Sequence, residues 1–246
     1  MVEYGTFSAV GAGRHTRRFD ALHLYANLTA AAATFAVADA NPEGPGSGEI
    51  ADFAALNTVC TASSPTSAAP ATPGESIRRA AVEAQQFAPN RAPEDNLALA
   101  AIRINHQGPG IELAGIGHVR VYGYPGTQRQ SQLLLAEHGL AEDGHRWLLP
   151  STGRCQGREY AHCGRGIDCR YHAIGSHSVK HGQYRALVAV TAGVYQALSD
   201  FQLDAIATAA LPAATTAQRL VEISSRRAEA CGLAPAARTA LVINLS

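Results

Sequence analysis

Between residues 155 and 181 the chain carries Cys155, His162, Cys163, Cys169, His172, His177 and His181. Thiolate sulfur and imidazole nitrogen are the ligands zinc prefers, and four of them in a tetrahedron make a structural site. Cys169 and His172 have the x-x spacing that lets two neighbours reach one ion, and Cys155 with Cys163 completes a set of four. No Cys-x-x-Cys pair accompanies them, and the intervals are uneven. The other reading of these residues is an irregular segment whose cysteines are small apolar fillers.

A second chemistry attaches to Asp39, which ends the run Phe35-Ala-Val-Ala-Asp39 and precedes the loop Asn41 to Gly48. A carboxylate there can bind a hard divalent cation, or cap a turn through its own side chain. His15, His23 and His118 would join Asp39 around a zinc- or manganese-class ion if the fold gathers them. Asp20 lies beside Arg17 and Arg18, an exposed pairing that contributes little. Gly11-Ala-Gly13-Arg-His-Thr16 lacks the lysine and the glycine spacing of a phosphate loop. No Gly-x-Ser-x-Gly elbow is present to seat a nucleophilic serine.

The elements that must position these groups read as α+β. Strands are expected over Tyr4 to Val10, Ala21 to Leu28 and Ala33 to Ala38, then helices over Glu49 to Val59 and Ser76 to Phe87. Thr61 to Gly74, rich in Ser, Pro, Thr and Ala, reads as a flexible loop. Leu97 to Ile102, Ile111 to Ile116 and Val119 to Tyr124 read as an antiparallel meander. Residues 151–181 read as the irregular segment that holds the cysteines and histidines. A buried strand at Ala186 to Val190, one or two helices over Val194 to Ala210, a long helix over Thr215 to Ala230 and a strand over Arg238 to Leu245 complete the chain. Arg226 and Arg227 are expected on that helix's solvated face. Two antiparallel sheets with helices outside bury this many strands.

Length and composition narrow the function. At 246 residues the chain suits a single domain, 1–246. Lys+Arg and Asp+Glu both number 20, and zero net charge argues against nucleic acid or an anionic membrane as partner. Hydrophobic residues make up 46% and charged residues 16%, which places the chain among globular rather than disordered proteins. No apolar run is long enough to span a bilayer, and no export signal is visible. The five cysteines are therefore expected as reduced thiols in the cytoplasm.

The order of these pieces resembles the metal-dependent (type 2C, PPM) protein serine/threonine phosphatases over nearly the whole chain. Phe35-Ala-Val-Ala-Asp39-Ala40 is similar to that family's strand ending in Asp-Gly. Leu97 to Ile102, followed by Leu113-Ala-Gly-Ile-Gly117-His118-Val119-Arg120-Val-Tyr122, is similar to its strand pair carrying Gly-Asp-Ser-Arg. Ala173-Ile-Gly175 is similar to its Ala-Leu-Gly, and Ala186 to Gly193 to its buried strand ending in Thr-Asp-Gly. Ala236-Ala237-Arg238-Thr239 is similar to its terminal Asp-Asn-x-Thr. The resemblance implies a β-sandwich between two helical layers, with 151–181 in place of a flap.

It also implies a two-cation centre, in which carboxylates hold Mn²⁺ or Mg²⁺ around a bridging water. Asp39 stands where the family's bridging aspartate stands. Ala192 and Ala236 stand where two further aspartates belong, Ala40 where a glycine does, and Ala237 where an asparagine does. His118 replaces the aspartate of Gly-Asp-Ser-Arg. The family's Arg-x-x-Asn-Glu-Asp reads His15-Thr-Arg-Arg18-Phe19-Asp20, with Arg14 one place from the phosphate-facing arginine. A methyl gives a cation nothing. The expectation is a pseudophosphatase that binds a phosphoprotein, a protein kinase or another regulatory protein and needs no cofactor. The alternative is an atypical phosphatase in which Asp39, Asp20 and His118 hold one ion and Arg14 faces the phosphate. A third reading is a binder of a small anionic ligand in the emptied cleft. Entry of another acid, Asp168, Asp200 or Asp204, is left open by the sequence.

Overall fold

The computed structural model describes residues 2–9, 21–26, 32–40, 47–62, 71–87, 97–106, 110–117, 119–126, 130–136, 174–233 and 238–245. Its strands are β1 (Val2–Ala9), β2 (Ala21–Ala26), β3 (Ala32–Ala40), β4 (Leu97–Asn105), β5 (Gly110–Ile116), β6 (Val119–Pro125), β7 (Gln132–Leu135), β8 (Gly175–Lys180), β9 (Tyr184–Thr191) and β10 (Arg238–Leu245). Its helices are α1 (Ser47–Ala62), α2 (Pro73–Phe87), α3 (Ala192–Tyr195), α4 (Asp200–Ala207) and α5 (Ala213–Ala230). One sheet runs β1-β10-β9-β6-β7 and the other β2-β3-β4-β5-β8, with every pairing antiparallel.

Strand alternation sends side chains to two faces, and both sheets bury both. Phe35, Val37, Ile102 and Leu113 of one sheet meet Val121, Leu187, Leu241 and Ile243 of the other between the layers. The outer face of the β3 sheet presents Ala36, Ala38 and Ala101 to Ala51, Ala54 and Ala55 of α1. Alanine on both sides lets helix and sheet approach closely. The outer face of the β9 sheet, with Val188, Val190 and Val242, lies under Val194, Leu203, Leu220 and Val221 of α3 to α5. The expected α-β-β-α sandwich is the observed architecture.

Three expectations change. The meander does not exist: β5 pairs with β4 and β8, whereas β6 pairs with β9 and β7 in the other sheet. The chain crosses between sheets within two residues, and Gly117 makes the corner at φ 79°, a left-handed conformation that costs glycine little. The end of the supposedly irregular segment, Gly175–Lys180, is the edge strand β8, in register with β5 from Gly115↔Gly175 to Gly110↔Lys180. Strand β7 is short and half-exposed, with no alternation long enough to mark it. Arg227 is tied down as well, its Nε donating to the Ala197 carbonyl at 3.1 Å, while Arg226 lies 3.6 Å from Glu222 in an exposed i,i+4 pair.

Candidate functional site

Register brings the ends of seven strands to one end of the sandwich. Asp39 of β3 is opposite Ala98 of β4, and Leu99 of β4 is opposite Ile116 of β5. Two residues past Gly117 the chain re-enters as β6, where Val119 is opposite Thr191 at the end of β9. Strand β10 starts beside that end, and Arg238 is opposite Ala9, the last residue of β1. The C-terminus of β3, carrying Asp39, therefore shares an end with the β5–β6 crossing, the β9–α3 junction and the start of β10. These are the segments from which the sequence expects cation ligands.

At the β9–α3 junction the side chains are hydroxyls and methyls. The buried Thr191 hydroxyl accepts the Thr239 amide at 3.0 Å, and the Thr239 and Ser8 hydroxyls are bonded at 2.5 Å. Ala192 is 7% exposed. A buried methyl next to Thr191 supplies no oxygen to an ion, so this strand end does not fit the donor set of a two-cation centre.

Arg120 and Arg238 are also buried at this end. Alternation places Arg120 on the outer face of its sheet, alongside Tyr122 and Tyr124. The guanidinium lies 4.2 Å from the centroid of the Tyr195 ring on α3, and Nη1 donates to the Tyr122 hydroxyl at 3.2 Å. The Tyr122 hydroxyl donates in turn to Asp200 Oδ1 at 3.3 Å. Just before β7, the Ser131 amide donates to Asp204 Oδ2 at 3.4 Å. Burial, and then the nearby Asp204 carboxylate, hold the Tyr124 phenol well above the ordinary tyrosine range. Asp200 and Asp204 of α4 are thus engaged with Tyr122 and Ser131 on the outside of the sheet rather than between the layers.

Several expected site residues lie outside the described residues: Arg14, Asp20 and His118, the zinc set Cys155, Cys163, Cys169 and His172, and also Asp168 and Ala236. Asp39 is placed by its backbone. Among the described residues, no three His, Cys, Asp or Glu form a group that could hold a metal. Two other members of the cysteine–histidine row are placed. His177 is exposed on β8, and His181 Nε2 donates to the Asn105 carbonyl at 2.6 Å. Cys60 and Cys231 are exposed and unbridged. No described helix is long and apolar enough to cross a membrane.

No family model matches the chain, and none of the curated proteins does. Solved structures do. The serine/threonine phosphatase PstP/Ppp of Mycobacterium tuberculosis superposes with a TM-score of 0.72 at 17% identity, covering 100% of this chain and 99% of that one. Stp1 of Staphylococcus aureus gives 0.75 at 12% identity, covering 100% and 96%. The PstP catalytic domain in complex with two manganese ions gives 0.70 at 17% identity, covering 99% and 97%. Over its whole length the chain has the fold of these bacterial serine/threonine phosphatases.

Proposed function

We propose that this protein is a pseudophosphatase: a phosphatase-fold module that binds a phosphoprotein, a protein kinase or another regulatory protein without turning it over. Ala192 carries the reading. It is a buried methyl at the end of β9, where the resembling family has a metal-binding aspartate. Without that carboxylate, and with Ala236 at a second such position, Asp39 lacks the oxygen partners that a pair of hard cations requires. The binding surface is the strand-end cleft that Asp39 shares with the β5–β6 crossing and the β9–α3 junction.

The test is Mn²⁺-dependent hydrolysis of a phosphothreonine peptide by the purified chain, with Asp39→Ala run beside it. Equal silence of the two supports the module. Turnover by the wild type that Asp39→Ala abolishes, with folding intact, overturns it.

A second reading is favoured by one observation, the position of Asp39 at the same end as those strand termini. In that reading Asp39, Asp20 and His118 hold a single Mn²⁺ or Mg²⁺, and the protein is an atypical serine/threonine phosphatase. Calorimetric titration with Mn²⁺ separates the readings, since the second requires one saturable site that Asp39→Ala removes.

A further inference from the structure

Seven serine or threonine residues are buried among the described residues, and the hydroxyls of five of them are hydrogen-bonded: Ser76 to the Thr72 carbonyl, Thr191 to the Thr239 amide, Thr239 to the Ser8 hydroxyl, Thr216 to the Pro212 carbonyl and Ser224 to the Val221 carbonyl. The other two, Thr34 and Thr58, are fully buried with no hydrogen-bond partner. They are not scattered. Thr34 of β3 is directly opposite Arg103 of β4, which is directly opposite Glu112 of β5. Alternation puts Thr34 on the face of Ala36 and Ala38, and Arg103 on that of Leu99 and Ala101, which is the face α1 covers. Thr58 lies on the covering side of α1, beside Ala54, Ala55 and Val59. Arg103 also reaches the chain between α1 and α2, where Nη1 donates to the Ala71 carbonyl.

Arg103 adds a third unsatisfied group. Its Nη2 pairs with Glu112 at 2.5 Å and its Nη1 donates to the Ala71 carbonyl at 2.7 Å, but its Nε, in a side chain 8% exposed, has no hydrogen-bond partner. Helical threonines ordinarily bond back to the carbonyl four residues earlier, as Thr216 does, and Thr58 does not. Two buried hydroxyls and one buried N–H at a single layer interface need a common partner.

We propose that the interface between α1 and the β3–β4–β5 face is built around an internal water, bound by the Thr34 and Thr58 hydroxyls and the Arg103 Nε–H. Charge selects the ligand. An anion would meet the Glu112 carboxylate and a cation the Arg103 guanidinium, whereas a neutral molecule that donates and accepts suits both. Arginine Nε only donates and a hydroxyl does either, so a water accepts from Nε and exchanges bonds with the threonines. This inference is independent of the functional reading.

The test combines a crystal structure of the wild-type protein, resolved well enough to place ordered solvent, with Thr34→Val, Thr58→Val and the double variant. The expected result is a solvent peak within hydrogen-bond reach of Arg103 Nε and at least one of the two hydroxyls. In the melts, the double variant should lose less Tm than the two single losses added together, because the first deletion already disrupts the shared water. The proposal is overturned if no solvent lies there and the hydroxyls bond to protein groups, or if the Tm losses are additive. Should a variant fail to fold, the wild-type crystal alone still decides.

Discussion

The Tyr122 hydroxyl stands between a buried cation and an exposed anion, accepting from Arg120 Nη1 at 3.2 Å and donating to Asp200 Oδ1 at 3.3 Å. Their spacing explains why the two elements meet. Arg120, Tyr122 and Tyr124 alternate onto one face of β6, while Asp200 and Asp204, four residues apart, share one side of α4. Tyr122→Phe removes the middle of this chain and one bond of a buried guanidinium. It is expected to cost about 1–2 kcal/mol in urea unfolding. Asp200→Asn, at the exposed end, should cost less than half as much.

Metal linkage gives a direct check on the strand-end cleft. A cation bound only by the folded state at a hundredfold excess over its Kd adds about 2.7 kcal/mol, roughly 5–10 °C of Tm for a domain of this size. The buried Ala192 leads us to expect no such rise when Mn²⁺ is added to the chelator-treated protein, read by thermal shift.

Gly117 is expected to resist replacement. Its φ of 79° makes the corner between the two sheets, and a Cβ in that conformation is strained by about 1–2 kcal/mol. Gly117→Ala should therefore lower stability by about that amount in chemical denaturation.

The two layers of the core should respond differently to size. Leu187 lies fully buried between the sheets, so Leu187→Ala leaves a cavity and should cost about 2–5 kcal/mol. Ala54, fully buried where α1 meets the alanines of β3, has no room to grow. Ala54→Leu should cost about 1–3 kcal/mol by forcing the helix off the sheet. Equilibrium urea curves on both variants check this.

Alkaline pH should weaken the fold through Tyr124. Its phenol is held neutral in the folded state, first by burial and then by Asp204, whereas in the unfolded chain it ionises near pH 10. Above that pH the native state binds the extra proton, so stability falls as pH rises, by up to about 1.4 kcal/mol per unit for this group. Tyr124→Phe should flatten that decline in denaturant titrations between pH 9 and 11, a window set by the ordinary tyrosine value of about 10.

What the sequence determined by itself was local and periodic. The apolar runs of β3, β4 and β9 and the 3.6-residue pattern of α5 each encode their own element, because the burial of a segment is written into neighbouring residues. The succession of those elements carried the sandwich with it, because two antiparallel sheets with helices outside bury that many strands. Tertiary structure decided what depends on partners far along the chain. A hairpin and a crossing between sheets look alike around Ile116–Val119, and only the β8 and β9 pairings separate β5 from β6. Strands β7 and β8 are short, largely exposed edges stabilised by neighbours rather than by their own pattern. Asp200 and Asp204, open candidates for the cleft on sequence, turn outward because α4 docks on the Tyr122 and Tyr124 face of β6. Local patterning specifies which face of a segment is buried, but not against what, and the chemistry of a site depends on the second.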